Sequence, residues 1–163
     1  MENLELLVNE FRSFAREPEV SLRRLSLRER IEKNARDFQG KIKTIVEGDG
    51  DIEGDPRLLD QVFLNLWKNS LEAGAERIVV HIDRTDHQIR ATITDNGPGV
   101  PPGRIETIWV PYVTSKRGGT GLGLPVVKRL VEAMHGDIRA VAPQKGETQR
   151  GLSLCMVLAE PPH

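Results

Sequence analysis

The sequence predicts an α+β fold, a two-layer sandwich in which helices cover one face of a mixed β-sheet. Helical and strand patterns are mixed along its 163 residues, a length typical of one domain. Pairs of adjacent strand patterns lie on both sides of a long glycine-rich stretch. Several helical patterns have one apolar face, which needs a sheet to cover it.

The first half of the chain predicts three helices and a strand. Apolar residues recur at helical spacing in residues 3–16. Ser26 begins a capping box, which predicts a helix over 27–38. Residues 41–46 have a strand pattern. Asp55 followed by proline is a typical helix start, and this helix extends to about residue 73.

The second half predicts two strand pairs and a helix. Apolar and polar residues alternate in 78–83 and again in 89–94, which indicates neighbouring strands. Residues 125–135 have helical spacing, and 138–142 and 152–158 are the last two strands.

The composition excludes several classes of protein. The 23 basic and 24 acidic residues give a net charge of −1, so no basic excess is available to bind nucleic acid. The single cysteine, Cys155, excludes an intramolecular disulfide and disfavours a zinc site; it is expected to be a small buried residue. Neither a signal peptide nor a membrane-spanning stretch is visible, so we expect a cytoplasmic domain. Membrane anchoring of a longer protein stays open.

Glycine and proline are concentrated between residues 95 and 123. This stretch holds 7 of the 15 glycines and 4 of the 10 prolines. Long loops inside compact domains are usually lids or binding loops.

The helix predicted over 55–73 carries Asn65 and Asn69 one turn apart, with Glu72 next on that face. Asparagine is unfavourable within a helix, by roughly half a kcal/mol relative to alanine. Either both amides are solvated, or their oxygens face a cation or polar ligand. Neutral oxygens suit Mg²⁺ bound together with phosphate. Asparagine cannot act as a general base, so the second interpretation favours phosphoryl transfer over activation of water.

Residues 95–99, Asp-Asn-Gly-Pro-Gly, end a predicted strand. Asn-Gly favours a tight hairpin, although no alternating strand follows. The alternative is a backbone that passes close to a ligand, which glycine permits. Asp95 could then accept a hydrogen bond from an exocyclic amine such as that of adenine.

A second glycine-rich segment, residues 116–124, leads into the helix that begins near Pro125. Free N–H groups and the helix dipole make such a segment a phosphate-binding site. It has neither the dinucleotide-binding spacing nor a Walker A sequence. The alternative is a mobile linker in which Lys116 is solvated.

In this order, four segments resemble the ATP-binding domain of sensor histidine kinases. That domain belongs to a wider group that shares a Bergerat-type ATP site with type II topoisomerases, heat-shock-90 chaperones and mismatch-repair ATPases. Residues 65–73 resemble the asparagine box, 95–99 the first glycine box, 108–116 the aromatic lid box and 119–124 the second glycine box.

The resemblance implies roles for these residues. Asn69 would ligate Mg²⁺ with Asn65 assisting, Asp95 would bind the adenine amine, and Lys116 would stabilise the transferred phosphoryl group. Asn65 and Lys116 are the implied catalytic residues, and relatives that hydrolyse ATP carry a glutamate base at the Asn65 position. The implied ATP-binding set is Asn65, Lys68, Asn69, Asp95, Gly97, Gly99, Val100, Lys116, Gly119, Thr120, Gly121, Leu122, Gly123 and Leu124.

Residues 7–18 resemble the end of the second dimerisation helix in nitrogen-regulation (NtrY-like) kinases. The resemblance implies that residues 1–19 are the end of this helix and that 20–163 are the catalytic domain. The four histidines lack the sequence context of a phospho-acceptor, so the acceptor is expected on a dimerisation domain of the same kinase. Implied partners are that domain, a response regulator reached indirectly, and a second copy through the N-terminal helix.

Two departures from the family pattern matter for the site. Leu152 follows Gly151 where a Gly-Thr element is expected, and Glu72 replaces a frequent phosphate-contacting lysine. The alternative functions are an ATPase of the topoisomerase group, a protein serine kinase of the anti-sigma kind, and a binding module without catalysis.

Overall fold

The computed structural model describes residues 2–113, 121–142 and 151–163. The helices are α1 (Glu2–Ala15), α2 (Leu27–Ala35), α3 (Pro56–Glu72) and α4 (Gly123–Ala133). The strands are β1 (Arg23–Ser26), β2 (Lys43–Glu47), β3 (Asp51–Gly54), β4 (Arg77–Thr85), β5 (Gln88–Asp95), β6 (Asp137–Val141) and β7 (Ser153–Ala159). Short 3₁₀ turns span Arg36–Phe38, Pro102–Arg104 and Thr107–Trp109.

The described strands form a five-stranded mixed sheet in the order β2-β4-β5-β7-β6. β2 is parallel to β4, and the other neighbours are antiparallel. β1 and β3 form a separate two-stranded sheet. The predicted α+β fold with a mixed sheet covered by helices is therefore confirmed.

One hydrophobic core lies between the sheet and the helices. From α3, Phe63 and Trp67 are fully buried and meet edge to face. The Trp67 Nε1–H donates to Thr44 Oγ1 of β2 at 2.9 Å, so its polar atom has a partner inside the core. α4 packs against α3 and contributes Val127 and Val131. No helix within the described ranges combines the length and the hydrophobicity that a membrane span requires.

Several predicted boundaries differ from the observed ones. β2 begins at Lys43, because the N–H groups of Lys41 and Ile42 donate to the Phe38 carbonyl in a turn. α4 begins and ends two residues earlier than predicted. The β1–β3 pair was not predicted, since four-residue strands leave too little alternation in the sequence to detect.

The hairpin between β4 and β5 turns at Asp86 and His87, both of which have positive φ, at 42° and 63°. Thr85 and Gln88 pair directly across this two-residue turn. The hairpin considered for Asn96 and the glycine after it does not form. The chain instead continues beyond β5 as a loop.

Asp55 caps α3 and also contacts the segment that follows α1. It is almost completely buried, and its carboxylate accepts from the N–H of Ser21 at 2.8 Å and of Arg57 at 2.9 Å. Its own N–H donates to Met134 Sδ at the end of α4. Burial by itself raises the pKa of Asp55, but the hydrogen bonds from Ser21 and Arg57 outweigh it and hold the pKa below its ordinary value.

Replacing this cap should make stability less dependent on pH. Asp55→Ala should lower the free energy of unfolding by about 1–2 kcal/mol near neutral pH, because the first-turn N–H of α3 loses its acceptor. The folded pKa of Asp55 is lowered, so its stabilisation is present above the unfolded pKa and is lost as pH falls through the folded pKa. Urea unfolding of the wild type and Asp55→Ala measures the free energy of unfolding near pH 7 and near pH 3.

The exposed Asp37 provides the matched control, since Asp37→Ala removes a carboxylate outside this cap. The difference in the free energy of unfolding between the wild type and Asp55→Ala should disappear in acid. An equal deficit at both pH values would contradict the ionic role of the cap.

Candidate functional site

Asp95 ends β5 with a carboxylate that is only 8% exposed. Its Oδ1 accepts from the N–H of Gly97 at 2.9 Å and of Leu152 at 3.2 Å. Its Oδ2 accepts from the Ser70 hydroxyl at 2.8 Å. Three donors therefore orient this carboxylate. They come from α3, from the loop after β5, and from the segment before β7, Gly151 and Leu152, which we call the approach to β7.

The Ser70 hydrogen bond brings two predicted motifs together. Ser70 is buried on α3 directly after Asn69, and the end of β5 lies against this part of the helix. A Cβ placed on Gly97 would lie 3.7 Å from the Cβ of Ala73, so the glycine loop also contacts the end of α3. The asparagine helix and the first glycine motif thus form one continuous site.

Asn65 and Asn69 are half-buried on α3, and Lys68 is exposed. In the described ranges no group of three His, Cys, Asp or Glu side chains could hold a metal ion. A divalent cation here would depend on amide oxygens together with ligand phosphates, which is a donor set that Mg²⁺ accepts. The residues present therefore fit Mg²⁺ bound with a nucleotide.

The loop after β5 is shaped by Asn96 and two glycines. Asn96 Oδ1 accepts from the N–H groups of Glu76 and Arg77 at 2.8 and 2.9 Å, so this side chain joins the start of β4 to the loop. Gly97 is buried, and a Cβ there would lie 3.2 Å from Asp95 Oδ1. Gly99 has a φ of +75°, in the left-handed region that favours glycine. Val100 follows it and is half-buried.

Gly121 contacts the far end of the same loop. Its carbonyl accepts from the Tyr112 N–H at 3.1 Å. Gly121 has a φ of +72°, and a Cβ there would lie 2.6 Å from the Tyr112 backbone. Both conformation and space require glycine at this position.

The N-terminus of α4 can present backbone donors. Leu122 is at the N-cap and has no side-chain acceptor to cap the first turn. Gly123 and Leu124 contribute N–H groups there, whereas Pro125 has none. The predicted residues Lys116, Gly119 and Thr120 lie outside the described residues.

The aromatic lid segment packs on the core through Ile108 and Trp109, which are partly buried. The Lys128 Nζ of α4 lies 5.3 Å from the centre of the Trp109 ring, a cation–π distance. Val110 and Tyr112 are exposed beyond this contact. Trp109 thus joins this segment to the core and to α4.

Ser70 was not predicted as part of the site, and the segment before β7 was predicted only as a departure from the family pattern at Gly151 and Leu152. Ser70 lies within the asparagine motif, and a small polar residue beside a buried helix stripe was the available signal. Gly151 packs so closely on Asp95 that a Cβ would lie 1.5 Å from the Asp95 carbonyl oxygen. Leu152 contributes only its backbone, so the residue type at this position does not predict the contact.

A cavity of about 590 Å³ lies elsewhere, between the end of α2 and the start of β2. Arg36, Lys41 and Thr44 are among its lining residues, and none of the predicted site residues lines it. The cavity is therefore separate from the Asp95 site.

Comparison with known families identifies the domain. Residues 54–161 match the family described as histidine kinase-, DNA gyrase B- and HSP90-like ATPases. The chain belongs to this ATPase family. The matched residues include α3, the loop after β5, α4, β6 and β7.

Within this ATPase family, the chain is homologous to sensor histidine kinases. It is 37% identical over 99 residues to the sensor histidine kinase ZraS of Escherichia coli K12, a span of 60% of this chain and 21% of ZraS. It is 34% identical over 101 residues to the sensory histidine kinase/phosphatase NtrB of Salmonella typhimurium LT2, a span of 54% of this chain and 29% of NtrB. The chain thus matches less than a third of each relative's length.

Solved histidine kinases share the fold of this ATPase domain. Full-length ShkA in complex with AMPPNP has a TM-score of 0.80 at 25% identity, with 98% of this chain and 37% of ShkA covered. The mycobacterial sensor histidine kinase MprB has a TM-score of 0.74 at 25% identity, with 88% of this chain and all of MprB covered. This chain therefore has the architecture of the ATP-binding domain of a histidine kinase.

The Gly151 contact predicts a sharp difference between two alanine variants. Gly151→Ala should lower the free energy of unfolding by about 3 kcal/mol or more, because the new Cβ separates β5 from the approach to β7. Gly103→Ala is the control, since a Cβ there meets nothing within 4 Å and should change stability by about 0.5 kcal/mol or less. Denaturant unfolding measures both, and similar losses in the two variants would contradict the packing at Gly151.

Proposed function

We propose that this domain binds Mg-ATP and transfers the γ-phosphoryl group to a histidine on a dimerisation helix of the same kinase. The observation that carries the proposal is the oriented Asp95 carboxylate beside the asparagine helix, in a domain homologous to histidine kinases. ShkA, which shares the fold, was solved with the ATP analogue AMPPNP.

Asp95 would bind the adenine amine, because a carboxylate accepts hydrogen bonds and the adenine amine donates them. Gly97 and Gly99 let the backbone approach the base. The N–H groups at the start of α4 would bind phosphate oxygens, assisted by the helix dipole. The family resemblance adds Lys116, Gly119 and Thr120 to the phosphate contacts, and Lys68 lies on α3 beside the asparagines.

Asn69 would ligate Mg²⁺, with Asn65 assisting on the same face of α3. Bound Mg²⁺ neutralises phosphate charge and orients the γ-phosphoryl group. An amide ligand adds no negative charge, so the phosphates compensate the cation.

In the transfer, an imidazole nitrogen of the acceptor forms a bond to the γ-phosphorus while the bond from that phosphorus to the β–γ bridging oxygen breaks. ADP leaves with the electron pair, and the imidazole proton passes to solvent. Lys116 would offset the charge on the equatorial oxygens. Asn65 cannot accept a proton, so water in the site is not activated and the histidine is the favoured acceptor.

The four histidines lack the sequence context of a phospho-acceptor, and three of them lie on a strand or in turns. His81 Nδ1 lies 2.9 Å from Glu47 Oε2 on the sheet. His87 and His135 lie in turns with positive φ. The acceptor would then come from the dimerisation domain, and a response regulator would receive the phosphoryl group afterwards.

Calorimetric titration with a non-hydrolysable ATP analogue tests the proposal. Wild-type chain should bind the analogue more tightly with Mg²⁺ than without it. In Asn69→Ala this gain should fall by about 10-fold or more, because the amide ligand is lost.

The control is Asn34→Ala, which removes a helical asparagine that hydrogen-bonds to Asp60 away from the site. Absence of nucleotide binding by the wild type would overturn the proposed function. A full Mg²⁺ effect in Asn69→Ala would overturn the metal assignment alone.

We also propose that residues 1–19 end a dimerisation helix and that 20–163 form the catalytic domain. Leu4, Leu7 and Phe11 of α1 are 64%, 37% and 51% exposed, which leaves an apolar surface on this helix. α1 contacts α4 with only part of its surface. Pairing with a second α1 would bury the exposed side chains.

Sedimentation measures this pairing directly. The chain should form a dimer as concentration rises, and Phe11→Asp should shift it toward monomer because a charge cannot be buried in the contact. Val20→Asp, at an exposed valine outside α1, is the control and should leave the equilibrium unchanged. A wild-type monomer at high concentration would refute pairing through α1.

A further inference from the structure

We propose that Ser70 is a positioning residue that sets the selectivity of the site for adenine over guanine. The inference rests on the proposed function, because it requires Asp95 to contact the base. Ser70 lies in the asparagine box but is absent from the ATP-binding set that the family resemblance implies. It would act on the base through Asp95.

The hydrogen bonds to Asp95 distinguish its two carboxylate oxygens. Oδ1 accepts two backbone N–H groups, from Gly97 and Leu152. Among the described residues, Oδ2 accepts one donor, the Ser70 hydroxyl at 2.8 Å. A carboxylate oxygen has two lone pairs, so Oδ2 keeps the capacity for one more donor. The base amine is then expected at Oδ2, the oxygen that Ser70 orients.

Leu152 has no hydroxyl to offer the Asp95 carboxylate. The family pattern predicts a threonine at this position, but the leucine side chain packs against the core and offers no hydroxyl. Leu152 reaches Asp95 through its backbone alone: its N–H donates to the carboxylate, and its carbonyl accepts from the Asp95 N–H at 3.1 Å. The hydroxyl donor to the carboxylate is instead Ser70 of α3, which is 7% exposed and is held by the helix backbone.

Base chemistry converts this orientation into selectivity. The exocyclic group at position 6 of adenine is a donor, whereas that of guanine is an acceptor. An oriented carboxylate accepts a hydrogen bond from the adenine amine and repels the guanine carbonyl oxygen. Without the Ser70 donor, Oδ2 is free to rotate away or to take a water, and the adenine contact weakens more than any contact to guanine.

The experiment is a competition titration of ATP and GTP against a fluorescent ATP analogue, performed on the full 163-residue chain. Ser70→Ala should lose about 10-fold in selectivity for ATP over GTP, the effect of one hydrogen bond to a charged group. Ser70→Thr keeps the hydroxyl and should restore selectivity. Ser70→Cys replaces the hydroxyl by a slightly larger thiol, which is only a weak donor, and should resemble Ser70→Ala.

Ser153→Ala is the matched control. Ser153 is as buried as Ser70, and its hydroxyl lies 2.7 Å from Thr94 Oγ1 on the neighbouring strand, without contact to the Asp95 carboxylate. This variant should lose stability and keep selectivity. Asp95→Ala sets the largest loss of selectivity that the site can show.

Loss of selectivity in Ser70→Ala and Ser70→Cys, with recovery in Ser70→Thr, supports the inference. Unchanged selectivity in the first two variants overturns it, as does an equal loss in Ser153→Ala, which would indicate a general packing effect. If the wild type binds nucleotide, a negative result with Ser70 overturns this inference alone. If the wild type binds neither ATP nor GTP, the proposed function fails as well.

Discussion

The hydrogen bonds around the Asp95 carboxylate connect the two layers of the domain. Ser70 donates from the helical layer, Leu152 donates from the approach to β7, and Gly97 donates from the loop itself. A buried carboxylate without such partners would cost several kcal/mol, so these elements must meet at the end of β5 for the fold to be stable. The same requirement leaves no space for a side chain at Gly151, which packs on the Asp95 backbone.

α3 serves the core and the site with different faces. Phe63 and Trp67 are buried in the core, while Asn65 and Asn69 are half-buried beside Ser70. Its first turn is capped by Asp55, which also receives the Ser21 N–H from the segment that follows α1. A displacement of that segment would therefore act first on the helix that carries the asparagines. This is a short physical connection between the N-terminal helix and the Asp95 site.

Much of the site is visible in the sequence because local chemistry determines it. Asparagine repeated at helical spacing and glycine at a strand end each contradict local propensity, so they mark positions where a ligand or a tight approach is needed. The strand and helix patterns likewise predict the sandwich. The β1–β3 pair and the β2 start at Lys43 were missed, because they depend on pairing partners and on a turn at Phe38 that are distant or irregular.

The sequence alone determined the order of the motifs, the fold class and the chemical character of the asparagine and aspartate residues, because these follow from residue type and spacing. Only the tertiary structure decided how Asp95 is oriented, that Ser70 is its hydroxyl donor and that Leu152 donates a backbone N–H to it. Those contacts join residues 25 and 57 positions apart, and no local pattern encodes which side chain reaches across that distance. Packing of α3 against the sheet brings them together.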